Sequence, residues 1–236
     1  CWLRNRRALR AGRNKAKILA DTLSGPISGS GTLTKGTSAS SVLTLDGTNT
    51  YIGITSVNNG TLRLNGTHTG GGTYTVGASG TLQGTASTAS QLDISGKLSP
   101  GASVQSFASG TLNLLNGSSF EYELDSSAAA SAAADLQVVA GDFNLTDTVG
   151  LTLGDLASIP TPFALGTTFS LINYSGALTD NGLDLGTTPA LSGGNVFAVD
   201  TTVAGQVNLV VVPETSSVGL LGLTALLTLR RRRRAA

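Results

Sequence analysis

The acidic pair Glu121 and Glu123 comes nearest in this sequence to a catalytic or metal-binding arrangement. The two residues lie two apart in the alternating run 120–124, so a strand there would carry both carboxylates on one face. Such a pair could act as general acid and base or as calcium ligands. Two carboxylates at this spacing are also typical of the solvated face of a strand, and we favour that interpretation.

The single histidine, His68, offers no better catalytic candidate. It lies in the stretch 65–70, which is rich in glycine, asparagine and threonine, and this setting predicts a solvent-exposed turn residue. The single cysteine is Cys1, so neither a second histidine nor a cysteine cluster completes a metal site. Three further aspartates do not have the spacing of a calcium-binding loop, namely Asp142, Asp147 and Asp155. The sequence therefore predicts no catalytic residue, no metal and no cofactor.

Charge is distributed very unevenly along the chain. Seven basic residues fall within residues 1–20, and five more follow one another near the C-terminus, namely Arg230, Arg231, Arg232, Arg233 and Arg234. The body between them has three basic residues, Lys35, Arg63 and Lys97, against all 14 acidic residues, a net charge of −11. A body this acidic repels the phosphates of nucleic acid, so we expect no nucleic-acid partner.

The composition places these residues on strands rather than helices. The chain has 236 residues, of which 31 are glycine, 5% are aromatic and 12% are charged. Abundant glycine, serine and threonine favour many short strands joined by tight turns, so the predicted fold class is all-β. Since Cys1 is the only cysteine, an intrachain disulfide is excluded and stability must come from packing.

A short repeat indicates how the strands are stacked. Gly-Thr-Leu recurs at residues 31–33, 60–62, 80–82 and 110–112, with the variant Gly-Lys-Leu at 96–98. In two of the repeats a second leucine follows two residues later, so both leucines point to one side of a strand. The glycine before each strand permits the positive φ of a tight corner. Parallel stacking of these strands would bury a leucine ladder and leave Ser, Thr and Asn facing water.

The remainder of the body continues the alternating pattern. We expect strands at Phe120–Leu124, Leu136–Leu145, Leu151–Leu153, Thr168–Tyr174, Asn195–Val199 and Gln206–Val212. The Ala/Ser segment 126–134 is predicted to protrude as a loop. Residues 1–20 are predicted to form a basic, poorly ordered arm, which is consistent with a truncated leader.

One segment of the body resembles a known repeat. Residues 43–53, which contain Gly-Thr-Asn-Thr-Tyr-Ile-Gly, and residues 57–66, which contain Asn-Gly-Thr-Leu-Arg-Leu, are similar to the autotransporter-associated β-strand repeat. The run Leu-Ser-Pro-Gly-Ala-Ser at 98–103 is similar to a turn that follows such repeats. The resemblance extends over about residues 24–125. It implies a right-handed, single-stranded parallel β-helix of the passenger (pectin-lyase-like) type.

The C-terminal tail resembles the PEP-CTERM sorting signal of bacteria. Its motif is Val212, Pro213, Glu214 and Thr215, where Thr215 stands in place of the usual second proline. The apolar run 218–229 and the arginine cluster follow. The resemblance implies membrane retention by a short hydrophobic helix, cytoplasmic arginines and cleavage by an exosortase-type transpeptidase. The apolar run has 12 residues, fewer than the ~20 that a membrane-spanning helix needs, which favours a temporary anchor. A buried core helix followed by a solvated charge run is the alternative.

These observations predict three regions: an arm at 1–20, a β-helix body at 22–212 and a sorting tail at 213–236. The expected function is that of an exported, non-enzymatic structural or adhesion-type protein. It would pass through the inner membrane to the cell surface or extracellular matrix, where exopolysaccharide is a candidate partner. The alternative is a carbohydrate-active β-helix enzyme, either a hydrolase or a lyase. A body with three basic residues is poorly suited to a lyase, which uses basic residues to neutralise uronate.

Overall fold

The structure is a computed structural model, and it describes residues 9–11, 16–17, 21–36, 38–101, 104–125, 133–155 and 163–214. Within these ranges the secondary structure consists of 24 strands and one 3-10 turn at Ser192–Gly194. The predicted all-β class is therefore confirmed for the described part of the chain.

The strands are short, as expected where glycine and polar residues interrupt every apolar run. In chain order they are β1 (Leu9–Ala11), β2 (Ala16–Lys17), β3 (Asp21–Leu23), β4 (Ile27–Gly29), β5 (Leu33–Lys35), β6 (Val42–Leu45), β7 (Thr55–Leu64), β8 (Thr67–His68), β9 (Tyr74–Gly84), β10 (Ser87–Thr88), β11 (Leu92–Ile94), β12 (Lys97–Pro100), β13 (Ser106–Ser109), β14 (Leu112–Leu114), β15 (Ser119–Asp125), β16 (Ala133–Ala134), β17 (Leu136–Val139), β18 (Phe143–Leu145), β19 (Val149–Asp155), β20 (Thr168–Tyr174), β21 (Leu178–Thr179), β22 (Leu183–Leu185), β23 (Asn195–Asp200) and β24 (Gln206–Pro213).

Parallel pairing between successive coils arranges most of these strands on three faces. The first face contains β2, β5, the first half of β7, the first half of β9, β11, β14, β18 and β21. The second face contains β3, β6, the second halves of β7 and β9, β12, β15, β19 and β22. The third face contains β1 paired with β4, and then the series β8, β10, β13, β17, β20, β24 and β23. The chain visits the three faces in turn, so the fold is a curled parallel sheet of the β-helix-like kind.

The length of a coil changes along the molecule. Register partners on the first face run from Leu33 through Thr55, Tyr74 and Leu92 to Leu112, at intervals of 18 to 22 residues. The next two intervals, to Phe143 and then to Leu178, are 31 and 35 residues. The longer coils hold extra residues between the second and third faces, where the ranges 126–132 and 156–162 lie outside the described residues.

The core lies inside the coils and is built mainly from leucine. Leu62, Leu82 and Leu98 are register partners on the second face, and all three are completely buried. Residues between the inward positions, such as Thr61 and Thr81, are half-buried on the outer side of the same strands. The predicted leucine ladder is thus confirmed, because period-two alternation sends every second side chain inward.

The predicted positive φ is found at only one of the repeat glycines, which lie at positions 31, 60, 80, 96 and 110. Gly60 has a φ of 73°, as a tight corner requires. Gly80 and Gly110 are not among the glycines with positive φ; instead, a Cβ at either position would lie 2.2 or 2.4 Å from a carbonyl oxygen of the preceding coil. At these positions glycine is required by the close approach of neighbouring backbones.

The C-terminal end of the third face departs from parallel pairing. Strand β24 pairs antiparallel with both β20 and β23, so two strands extend this face beyond the last coil. The strands expected at Thr168–Tyr174, Asn195–Val199 and Gln206–Val212 correspond to β20, β23 and β24.

Several sequence predictions concern residues that are wholly or partly outside the described ranges. Of the basic arm 1–20, only β1 and β2 are described; they pair with β4 and β5 as part of the first coil, and the arm as a whole stays a prediction. Of the Ala/Ser loop, Ala133–Ala134 pairs antiparallel with β15, and 126–132 is not described. The hydrophobic helix at 218–229 and the arginines at 230–234 lie outside the described residues. In the part of the chain that is described, no helix combines the length and apolar character needed to cross a bilayer.

Candidate functional site

His68 is buried inside the β-helix, so the prediction of an exposed turn residue is wrong. It ends β8, on the third face, and its side chain is 2% exposed. Its position is set by parallel pairing with β10, where Thr88 is its register partner, and by a bridge to Asn49 of the preceding coil. A neighbouring coil, rather than solvent, therefore covers each side of the imidazole.

Both imidazole nitrogens of His68 have hydrogen-bond partners. Nε2 lies 2.8 Å from the carbonyl oxygen of Tyr51, which can only accept, so Nε2 carries the proton. Nδ1 then accepts a hydrogen bond from the hydroxyl of Tyr74 at 2.6 Å. Burial lowers the pKa of His68 below 6.5, while the bond to the Tyr51 carbonyl acts in the opposite direction. The ring is a neutral, satisfied core group with no free nitrogen to act as a base.

Two tyrosines and a threonine complete this buried polar network. The Tyr51 ring stacks on His68 with centroids 4.2 Å apart. Its hydroxyl lies 2.6 Å from the hydroxyl of Thr55 and 3.5 Å from that of Tyr74. Burial raises the pKa of both tyrosines, so their hydroxyls stay protonated at neutral pH. The network stabilises the core between two coils and is closed to a substrate, since Tyr51 and Tyr74 have no exposed surface.

Glu121 and Glu123 both point to the outer side of β15 as the sequence predicts, but they have different surroundings. Glu121 forms an ion pair with Lys97, its neighbour on the preceding coil, and both side chains are 38% exposed. Glu123 is half-buried next to Asp135, and its Oε2 atom is buried without a hydrogen-bond partner among the described residues. The two carboxylates therefore do not form one shared site.

Asp135 is the acidic residue that sequence reasoning missed. It is completely buried between β16 and β17, where one carboxylate oxygen accepts from the Gln105 amide at 3.1 Å and the other from the Glu123 amide at 2.9 Å. Burial raises its pKa from 3.8 to about 7, the two backbone hydrogen bonds oppose the rise, and the charge of Glu123 adds to it. Asp135 connects two coils at the corner where they lengthen. An aspartate between an Ala-rich segment and the Leu-Gln-Val-Val strand is the only sequence signal for it.

Lys35 is a second buried charged residue without a sequence signal. It is completely buried, and its ammonium donates to Ser41 Oγ at 2.6 Å and to the Asn59 carbonyl at 3.0 Å. Burial lowers its pKa. Of the three basic residues in the body, Lys35 is therefore unavailable to an external ligand.

A ladder of polar side chains lies on the outer side of the first face, and it is the surface best suited to contact a partner. Asn113 donates to Asp93 at 2.7 Å, and Asn144 donates to Asn113 at 2.8 Å. Gln91 adds a bond to Asp93 at 2.8 Å. Asp93, Asn113 and Asn144 are register partners on successive coils, so the spacing between strands, ~4.8 Å, sets their spacing. Amide and carboxylate groups thus form a continuous, rigid row that we call the polar ladder.

The remaining acidic candidates stabilise turns. Asp142 accepts from the Ala177 amide, and Asp147 accepts from the Thr148 amide, each at 2.8 Å. The side chain of Asp155 lies outside the described residues. Within the described ranges, no group of three or more His, Cys, Asp or Glu side chains is arranged to hold a metal ion.

The first three residues of the predicted sorting motif belong to the end of the last sheet. Val212 and Pro213 pair with Val196 and Asn195 in β23, and the Glu214 amide donates to the Gly194 carbonyl at 3.0 Å. Pro213 and Glu214 are exposed, whereas Val212 is half-buried. Thr215 and Arg230, Arg231, Arg232, Arg233 and Arg234 lie outside the described residues.

Comparison with known proteins gives one partial similarity. A segment of 41 residues, 17% of this chain, is 58% identical to the adhesin BmaC autotransporter of Brucella suis biovar 1 (strain 1330). That segment is 1% of the adhesin's length, so the chain spans a very small part of the curated relative it matches. No protein-family model matches the chain. The similarity agrees with the resemblance to autotransporter-type repeats, while the sorting signal has no counterpart in these comparisons.

Proposed function

We propose that this chain is an exported, non-enzymatic, adhesion-type protein whose body is a right-handed, single-stranded parallel β-helix of the passenger type. Its outer surface, and not an enclosed pocket, would make contact with an extracellular polymer such as exopolysaccharide. The protein would act at the cell surface or in the extracellular matrix. The partial similarity to an autotransporter adhesin supports this assignment.

The observation that carries the proposal is the polar ladder. Stacked coils form an extended surface that is rigid along its length, which is how solenoid proteins bind extended partners. On the first face the outward groups are Asp93, Asn113 and Asn144, which offer both donors and acceptors in register. A neutral polysaccharide chain is rich in hydroxyl groups that can pair with such a row. The same row offers no positive charge that would attract nucleic acid.

Binding of the full chain to purified exopolysaccharide tests this role of the polar ladder. The double variant Asn113→Ala/Asn144→Ala removes two amides from the ladder and should weaken binding by about thirtyfold, since each of the two hydrogen bonds contributes ~1 kcal/mol. The matched control is Asn58→Ala/Asn181→Ala, which removes two exposed amides elsewhere. Equal binding by both variants would exclude the ladder as the contact surface, and absence of binding by the unmodified chain would exclude this polymer as its partner.

We propose further that residues 213–236 sort the protein. In this scheme the hydrophobic helix holds the exported chain in the inner membrane, Arg230–Arg234 stay in the cytoplasm, and an exosortase-type transpeptidase cuts near Pro213–Glu214. The position of Pro213 at the end of the last strand supports a role for the following residues outside the body. Coexpression with such a transpeptidase should shorten the chain by about the length of the tail; an unchanged mass of the mature protein would contradict the scheme.

The carbohydrate-active alternative depends on the carboxylates on and next to β15. Asp135 has the raised pKa of a general acid, but it has no exposed surface from which to reach a glycan. Glu121 is paired with Lys97. Release of oligosaccharide from acidic or neutral glycans, abolished by Glu121→Gln or Glu123→Gln, would establish an enzyme and contradict the non-enzymatic proposal.

A further inference from the structure

Four asparagines of this chain are followed directly by glycine, and this dipeptide is chemically labile. They are Asn59, Asn65, Asn116 and Asn181. The backbone nitrogen of the following residue can attack the carbon of the side-chain amide, and glycine hinders this attack least because it has no Cβ. The attack requires a free backbone N–H and a side chain that can turn toward it. The fold therefore decides which of the four asparagines react.

The fold protects the pairs at Asn59 and Asn65. Asn59 lies inside β7, which pairs along its length with β9, and the glycine that follows it is buried. The backbone amide that would attack Asn65 donates to the Leu45 carbonyl at 3.1 Å. Nδ2 of Asn65 donates to Asp46 Oδ1 at 2.9 Å. The backbone is thus fixed at Asn59, and at Asn65 both the attacking nitrogen and the leaving nitrogen are held by hydrogen bonds.

The pair at Asn181 is protected by one neighbouring side chain. Asn181 is exposed, but the Gly182 amide donates to Asp180 Oδ1 at 2.9 Å. This hydrogen bond must break before the Gly182 nitrogen can attack. The protection of Asn181 therefore depends on the Asp180 carboxylate.

The pair at Asn116 has none of these protections. Asn116 and Gly117 are both exposed in the turn between β14 and β15, which the Ser118 amide closes by donating to the Leu115 carbonyl at 3.0 Å. Gly117 has a φ of 79°, and a Cβ there would have no atom within 4 Å. Neither the Gly117 amide nor the Asn116 side chain has a hydrogen-bond partner among the described residues. The attacking nitrogen, the side chain and the space around them are all free.

We propose that Asn116 is a site of spontaneous modification, at which asparagine is converted to aspartate and isoaspartate faster than at the other three pairs. The Gly117 nitrogen bonds to Cγ of Asn116 as it loses its proton, the Cγ–Nδ2 bond breaks, and Nδ2 leaves as ammonia. Water from the solvent then opens the five-membered ring at either of its carbonyl carbons. These steps require water alone as a second reactant.

The modification changes a corner where two coils stack. Leu114 and Ser119, on either side of the turn, are register partners of Leu145 and Gly150. The turn therefore lies next to the corresponding turn of the following coil, where Asp147 is exposed. The new carboxylate adds to the negative charge at this corner. In the isoaspartate product the backbone passes through the side-chain carbon, which lengthens the turn and disturbs the hydrogen bond that closes it.

Incubation of the full chain at mildly alkaline pH, followed by peptide mapping with mass spectrometry, tests the proposal. We expect the mass gain of the amide-to-acid conversion to occur first in the peptide that contains Asn116. Conversion there should be about fivefold faster than at Asn181, which corresponds to the ~1 kcal/mol of the one hydrogen bond that protects Asn181. An isoaspartate-specific methyltransferase should label the same peptide. Conversion of Asn116 no faster than that of the other three asparagines would overturn the proposal.

The variant Asp180→Ala tests whether a free backbone amide selects the site. It releases the Gly182 amide, so conversion at Asn181 should become about fivefold faster while the rate at Asn116 stays the same. An unchanged rate at Asn181 would overturn the proposed basis of selection.

Unfolding the chain in guanidinium chloride separates the fold from the local sequence. All four pairs then lose their hydrogen bonds and should convert at similar rates. If Asn116 kept the same lead in the unfolded chain, its lability would come from the neighbouring sequence, and the structural proposal would be wrong.

Discussion

The buried carboxyl of Asp135 should make the stability of the protein fall as pH rises toward neutrality. Its side chain has no exposed surface and accepts backbone hydrogen bonds from Gln105 and Glu123. Burial raises its pKa from 3.8 to about 7. The unfolded chain returns this carboxyl to water, where its ordinary pKa applies.

The sign and size of the effect follow from proton linkage. Between pH 4 and pH 7, roughly, the folded chain binds more protons than the unfolded chain, so the free energy of unfolding decreases as pH rises through this interval. Above the folded-state pKa of about 7 the loss is complete. One unit of pKa shift corresponds to about 1.4 kcal/mol, so a shift of about 3 units sets an upper limit of about 4 kcal/mol.

Urea unfolding followed by far-ultraviolet circular dichroism at several pH values between 5 and 8 measures this dependence. The variant Asp135→Asn cannot ionise, so its free energy of unfolding should lack the decrease with rising pH. That free energy should also be lower overall by about 1–3 kcal/mol, because the amide NH2 of asparagine faces a backbone N–H whose hydrogen bond the carboxylate had accepted. Subtracting the variant's curve from that of the unmodified protein removes the separate contribution of His68. A difference curve without slope across this range would refute the reasoning, and the exposed control Asp184→Asn should retain the unmodified slope.

Two further predictions concern the core and the contacts between coils. Replacing Tyr74 by Phe leaves His68 Nδ1 without its hydrogen-bond donor and should lower the free energy of unfolding by about 1–3 kcal/mol. The control Tyr174→Phe changes a partly exposed side chain and should alter the free energy of unfolding by less than about 0.5 kcal/mol. Equal effects of the two variants in urea unfolding would contradict the role of the network. An alanine Cβ at Gly70 would lie 1.7 Å from the Tyr51 carbonyl oxygen, so Gly70→Ala should lower the midpoint of thermal unfolding markedly. The control Gly150→Ala should leave the midpoint unchanged, because a Cβ at Gly150 would have no atom within 4 Å. A Gly70→Ala protein with an unchanged midpoint would contradict the close stacking of these coils.

The leucine ladder could be predicted because its signal is local. Leu62 and Leu64 lie two apart on one strand, and the same spacing recurs at Leu112 and Leu114, so alternation alone indicates which side is buried. The segment of the third face around His68 gives no such signal. Strand β8 has two residues, too few to show alternation, and the residues that cover His68 are 19 and 20 positions away in sequence.

The same reason explains why Asp135 and Lys35 could not be found from the sequence. Lys35 lies among polar residues and Asp135 directly follows a segment that is predicted to protrude as a loop, so exposure is the prediction for both charged residues. Their burial depends on acceptors and donors that the coil brings in from elsewhere: Gln105 lies 30 positions from Asp135, and Asn59 lies 24 positions from Lys35. Local patterns carry no information about such partners.

The buried polar residues of the third face have a physical role that the leucines cannot fill. Asn49 accepts from the Ile27 amide at 3.0 Å, His68 bonds Tyr51 and Tyr74, and Ser109 accepts from Gln137 at 3.0 Å. Burying such groups is unfavourable unless they are hydrogen-bonded, so each one stabilises only the alignment in which its partner is present. A ladder of leucines looks alike in every coil and would tolerate a strand that pairs one coil too early or too late. The polar groups of the third face form hydrogen bonds that differ from coil to coil, so they do not tolerate such a shift. These polar groups therefore specify which coil stacks on which.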